Sequence, residues 1–105
     1  MTELEVLKEA RRLIQKGWTR GVAERRGRYC LLGAVVQATR GCPYLQDQPL
    51  LQARVIVKLM WATRNVAAWD DAWNVGGNLE AWNDAQKSKK PVLELVDRLI
   101  AEVSK

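Results

Sequence analysis

The chain has 105 residues, with seventeen lysines and arginines against twelve aspartates and glutamates, no histidine, two cysteines, and five tryptophans but no phenylalanine. That length is the size of one domain, enough to bury roughly two thirds of the surface its unfolded form exposes. A net charge of +5 favours anionic partners, and the absence of imidazole removes the commonest acid–base group and metal ligand.

Cys30 and Cys42 have neither the spacing nor the companions of a zinc site. Cys30 lies in an apolar run, where free cysteine acts as a small buried hydrophobe, so reduced thiols and a cytoplasmic chain are expected. The longest apolar run, Cys30 to Val36, falls far short of the roughly 20 residues a membrane span needs, and no signal peptide is legible.

In chain order, Thr2 and Glu5 form a capping-box pair at the start of a first helix, with Leu4, Leu7, Ala10 or Leu13, and Ile14 at helical spacing and Gly17 as the stop. Gly17-Trp18-Thr19-Arg20-Gly21 then sets an indole between two glycines, to be a core plug or a ligand platform. Glu24 to Arg28 is the densest positive cluster and reads as a basic loop or short helical turn. Tyr29 to Thr39 is apolar nearly all round and reads as a central helix, with Gly33 and Ala34 admitting a close neighbour; Gly41 and Pro43 end it.

Asp47 or Gln48 followed by Pro49 starts a third helix. Leu51, Val55, Leu59, Ala62, Val66, Trp69 and Trp73 form one face, which allows an unbroken helix to about Asn74, stopped by Gly76-Gly77, or a break at Thr63-Arg64-Asn65. Trp61 is off that stripe. Asn78 caps a short turn carrying Leu79 and Trp82, and Ser88 caps the last helix, with Val92, Leu95 or Val96, Leu99 and Val103 inward. Lys87, Lys89 and Lys90 stand near its N-terminus, against the macrodipole.

Ala81-Trp82-Asn83-Asp84-Ala85 is read as a joint. Its indole plugs a core, while Asn83 and Asp84 accept from an indole N–H or fold back onto backbone N–H groups and orient the helix that follows. Ala68-Trp69-Asp70-Asp71-Ala72 repeats the spelling. The expected fold is an all-α single domain over 1–105, an orthogonal bundle of about four main helices.

With Gly17-Trp18-Thr19-Arg20-Gly21, Tyr29-Cys30-Leu31-Leu32-Gly33-Ala34 and Trp82-Asn83-Asp84-Ala85, the chain resembles a small all-helical family of uncharacterised proteins from actinobacteria and their phages. The pattern associated with that family runs Gly-Trp-Thr-Gln-Gly, Trp/Tyr-Cys-Leu-Leu-Gly-Ala, then Trp-Asn-Asp-Ala followed by Pro-Gly-Arg-Thr. Arg20 stands here in place of the glutamine, and Gln86-Lys87-Ser88 in place of Pro-Gly-Arg-Thr. The resemblance implies an all-helical domain and no activity.

No nucleophile with a general base, phosphate loop or metal set is legible, and Asp70, Asp71 and Asp84 read as turn and cap residues. No enzyme and no cofactor are expected. Binding is the expected role, through Trp18, Arg20, Arg25, Arg26, Arg28, Trp61, Trp82, Asn83, Asp84, Lys87, Lys89 and Lys90. The first expectation is a phage or actinobacterial accessory protein that binds and modulates a host protein, since tryptophan and arginine dominate interface energetics. Alternatives are nucleic-acid contact through the basic residues, and a nucleotide or small anion held between Trp18 and Trp82 with Arg20. A homodimer through the Trp61 to Trp73 face is a further expectation, and a membrane is not expected as a partner.

Overall fold

The computed structural model describes residues 2–40, 48–63 and 75–105. In order these form α1 (Glu3–Lys16), β1 (Glu24–Arg25), β2 (Arg28–Tyr29), α2 (Leu31–Thr39), α3 (Gln48–Thr63), α4 (Val75–Asp84) and α5 (Lys89–Val103). The fold is all-α, apart from one antiparallel hairpin among the described residues. Among the described residues no helix is long and apolar enough to cross a membrane. Outside them lie the break at Gly41 and Pro43, the thiol of Cys42, the second indole motif around Trp69 to Asp71, and any continuation of α3 towards Asn74.

The start of α1 follows its sequence signals. The Thr2 hydroxyl accepts from the Glu5 N–H at 3.1 Å and the Glu5 carboxylate accepts from the Thr2 N–H at 3.1 Å, so two otherwise orphaned donors are satisfied reciprocally. The helix closes where the Gly17 N–H donates to the Leu13 carbonyl. Val6, Leu7, Ala10 and Ile14 are buried, and Leu4 stays half-buried.

Burial on nearly every side makes α2 the central helix. Leu31, Gly33, Ala34, Val35, Ala38 and Thr39 are all buried, against α1, α3 and α4. It begins two residues later than the apolar run suggests, because Cys30 is its N-cap and the sulfur accepts from the Gly33 N–H at 3.3 Å. Leu51, Val55 and Leu59 on α3 and Val92, Leu95, Val96 and Leu99 on α5 complete a common core with α1, α2 and Leu79 of α4.

Two expectations are corrected. Gly76-Gly77 does not halt a helix; both glycines lie inside the first turn of α4, one of five helices among the described residues. Glycine costs about 1 kcal/mol in a helix interior but much less in the first turn, where backbone N–H groups lack partners in any case. The basic stretch Glu24 to Arg28 is a two-residue β-hairpin with Glu24 opposite Tyr29 and Arg25 opposite Arg28, not a loop or helical turn.

The hairpin rests on α2 through backbone. The Cys30 N–H donates to the Ala23 carbonyl at 3.1 Å, and a Cβ placed on Gly33 would stand 2.0 Å from the same oxygen. Only glycine permits this approach. Gly33→Ala should therefore lift the hairpin from α2 and destabilise the fold by about 1–3 kcal/mol, the usual cost of overpacking. The check is urea denaturation, and a neutral substitution would mean that the backbones are not in contact.

Candidate functional site

The joint expected at Trp82-Asn83-Asp84 is real, but it joins other parts than expected. Asn83 is completely buried at the C-terminal end of α4. Its Oδ1 accepts from the indole Nε1–H of Trp18 at 2.8 Å and from the Leu31 N–H at 3.1 Å, and its Nδ2 donates to the Thr19 carbonyl and to Asp84 Oδ1, each at 3.2 Å. One carboxamide thus ties the loop after α1, the first turn of α2 and the end of α4 together. Asp84 also accepts from the Gly21 N–H at 2.8 Å. The two polar side chains reach across more than sixty residues of sequence rather than onto the helix that follows.

Arg20 extends the same seam. Its guanidinium lies 6.0 Å from the centre of the Trp18 ring and donates to the Gln86 carbonyl at 3.0 Å. The Gln86 side chain in turn donates to the Trp82 carbonyl at 2.8 Å, satisfying a carbonyl in the last turn of α4. Trp82 is half-buried and packs on the core. The polar groups that a ligand between Trp18 and Trp82 would use are therefore engaged within the fold.

The lysine cluster divides. Lys89 Nζ donates to the Gln15 carbonyl at 2.9 Å, so a cation in the first turn of α5 serves the C-terminal end of α1, where positive charge is favoured. Lys87 and Lys90 are exposed. Ser88 is the N-cap of α5 by position, without a side-chain capping bond.

Cys30 offers little chemistry. Burial is the main cause that pushes its thiol above the ordinary value, with Glu80 and Asp84 adding to the shift, while the Gly33 and Leu32 N–H groups oppose it. A buried, protonated thiol is a poor nucleophile. Among the described residues no three cysteine or acidic side chains gather into a metal-binding group.

Contacts along α1 and α5 fix two poles. Arg11 Nε donates to Asp97 midway along both helices, and Lys89 meets Gln15 where α1 ends and α5 begins, so the pair is antiparallel. At one pole, Glu3, Lys58, Trp61, Ala62, Arg98, Leu99, Glu102 and Val103 line a groove of about 600 Å³. Trp61 is 64% exposed there, with Val57 and Leu50 exposed on the same outer stripe of α3. At the other pole, roughly 21 Å away over the 14 residues of α1, stand the hairpin arginines Arg25, Arg26 and Arg28, with Arg20 and Lys87 beside the joint.

The chain belongs to a family of unknown function (DUF6197), whose model matches residues 1–102. Neither a curated protein nor a solved structure matches it. The match runs from α1 through all of α5 but its last residue, so the joint, the hairpin and every groove residue except Val103 lie within the family's extent.

Sequence reasoning identified the indole and its acceptor but missed the groove residues Glu3, Lys58, Arg98 and Glu102. Their one signal was the outer stripe of Leu50, Val57 and Trp61, spaced seven and four apart.

Asn83→Ala removes four hydrogen-bond partners at once, and an orphaned buried polar group costs about 1–3 kcal/mol, so a loss of about 3 kcal/mol or more is expected in chemical denaturation. For the thiol, alkylation of the Cys30 peptide, followed by mass spectrometry, should be slow in the native protein at neutral pH and fast in denaturant. Equal rates would contradict its burial and raised pKa.

Proposed function

We propose that this chain is a non-catalytic binding protein that docks a protein partner on the outer face of α3 and the adjoining groove. The observation that carries this reading is Trp61, which among the described residues is the most exposed of the large hydrophobic side chains and lines that groove. Tryptophan is the residue type most enriched among binding hot spots, because its large rigid ring gives contact area at small entropic cost.

The surroundings have the make-up of an interface. Val57 and Leu50 extend the apolar stripe along α3, while Lys58, Arg98, Glu3 and Glu102 supply a mixed-charge rim. Such a rim contributes little affinity when solvated but selects the partner and its orientation. The resemblance to proteins of actinobacteria and their phages makes a host protein the proposed partner, met in the cytoplasm, with modulation of that partner as the biological role.

The test compares capture from actinobacterial lysate by the wild type and by Trp61→Glu. A stoichiometric protein retained by the first and lost by the second is expected, with both proteins folded; the stability difference should stay within about 1 kcal/mol, as for an exposed position. Equal capture would move the interface elsewhere. Sedimentation of the two proteins separates a foreign partner from a second copy of the chain.

A further inference from the structure

The hairpin tip carries three arginines among four residues, each held in a way that costs the fold stability. Arg25 stands directly across from Arg28, and like charges paired across strands repel. Arg26 and Gly27 have φ of 52° and 77°, the sign pattern of a type I′ connection, whose first place asparagine or glycine fills with least strain. An arginine there is strained.

Among the described residues no ion pair offsets this charge; those present are Arg11 with Asp97, Arg12 with Glu9 and Lys58 with Glu3, none at the hairpin. Glu24, the acid within the hairpin, has its carboxylate on the Gly27 N–H at 3.0 Å, where it holds the turn. Arg25, Arg26 and Arg28 are exposed and together line an open recess of about 630 Å³.

The positive surface continues past the tip. The Arg28 Cγ stands 2.9 Å from where a Cβ on Gly17 would be, which lays its stem over the end of α1 next to exposed Lys16. Arg20 reaches the Gln86 carbonyl, and exposed Lys87 follows. Of the acids here, Asp84 has its carboxylate on the Gly21 N–H and the Asn83 amide, and Glu80 lies towards the Cys30 thiol.

We infer that this edge grips the phosphate backbone of a nucleic acid without reading its sequence. Guanidinium forks match phosphate oxygens in a bidentate manner that ammonium groups do not. A row of cations along an edge suits a polymer of phosphates, whose binding gains from released counterions at each contact, better than one small anion. The turn holds arginine and glycine only, with no apolar side chain to enter a bilayer. This site is independent of the protein-docking face, since the two lie at opposite ends of α1 and α5.

The measurement is fluorescence anisotropy of a labelled duplex of about 20 base pairs, titrated with the protein from ~50 mM salt upward. Log affinity should fall linearly with log salt, with a slope of about −2.7 or steeper for three or more phosphate contacts. The double variant Arg25→Gln with Arg26→Gly should bind about tenfold more weakly at ~50 mM salt and show a slope shallower by about two, one for each lost contact. Because glycine relieves the left-handed position, that variant should melt no lower than the wild type. Trp61→Glu should bind the duplex like the wild type, which separates failure of this site from failure of the protein-docking reading. Absence of binding at low salt, an unaltered affinity in the folded double variant, or binding to anionic lipid vesicles with none to the duplex would overturn the assignment.

Discussion

The carboxamide of Asn83 is the point on which the arrangement of helices turns. It is wholly buried, and its oxygen serves two donors from different segments, the Trp18 indole and the Leu31 amide, while its nitrogen holds the Thr19 carbonyl. A buried polar group without partners costs far more than a satisfied one contributes, so each of the three segments is held in place by what its displacement would leave unpaired. An apolar side chain in its place could fill space but could not specify such a geometry. The joint makes the loop after α1, the start of α2 and the end of α4 a single unit.

This unit explains why a strained hairpin is tolerated. Its base is fixed by Tyr29 N–H to the Gly17 carbonyl at 3.0 Å, by Thr19 N–H to the Tyr29 carbonyl at 3.2 Å, and by the contact of Ala23 with Gly33. With the base held so firmly, the tip can keep Arg26 at positive φ and set Arg25 against Arg28. The far pole has a simpler origin. α3 turns Leu51, Val55 and Leu59 inward and leaves Leu50, Val57 and Trp61 outside, so one helix carries an apolar stripe on each of two faces. The fold buries the inner stripe, and the outer one stays exposed.

Local signals were legible where the physics is local. The Thr2 and Glu5 cap, the stop at Gly17, the helix starting near Gln48 and the last helix after Ser88 each rest on residues within one turn of one another, and each is observed. The acceptor for a motif indole was also legible, since a buried N–H must be satisfied and Asn83 or Asp84 was at hand. Its reach was not: 65 residues separate Trp18 from Asn83, and no periodicity encodes that pairing. The hairpin escaped because strands of two residues are too short to show alternation, and because arginine occupies the turn position where asparagine would have announced it. Gly76-Gly77 misled because a glycine pair is a stop signal by propensity, and α4 is stabilised instead by the burial of Leu79 and Asn83. Of the candidate binding residues, Trp18, Arg20, Asn83 and Asp84 are tied into the joint, Trp82 packs on the core, and Lys89 serves α1. Arg25, Arg26, Arg28, Lys87, Lys90 and Trp61 face outward.

Hydrogen exchange followed by NMR at the Trp18 indole Nε1–H and the Leu31 amide is the most direct test of the joint. If Asn83 Oδ1 holds both protons in a sealed site, they should exchange no faster than the amides of Val35 and Leu95 in the core, with the same denaturant dependence, because only global unfolding exposes them. Exchange of either proton within seconds, while the core amides stay protected, would contradict the account and leave the helices joined by apolar packing alone.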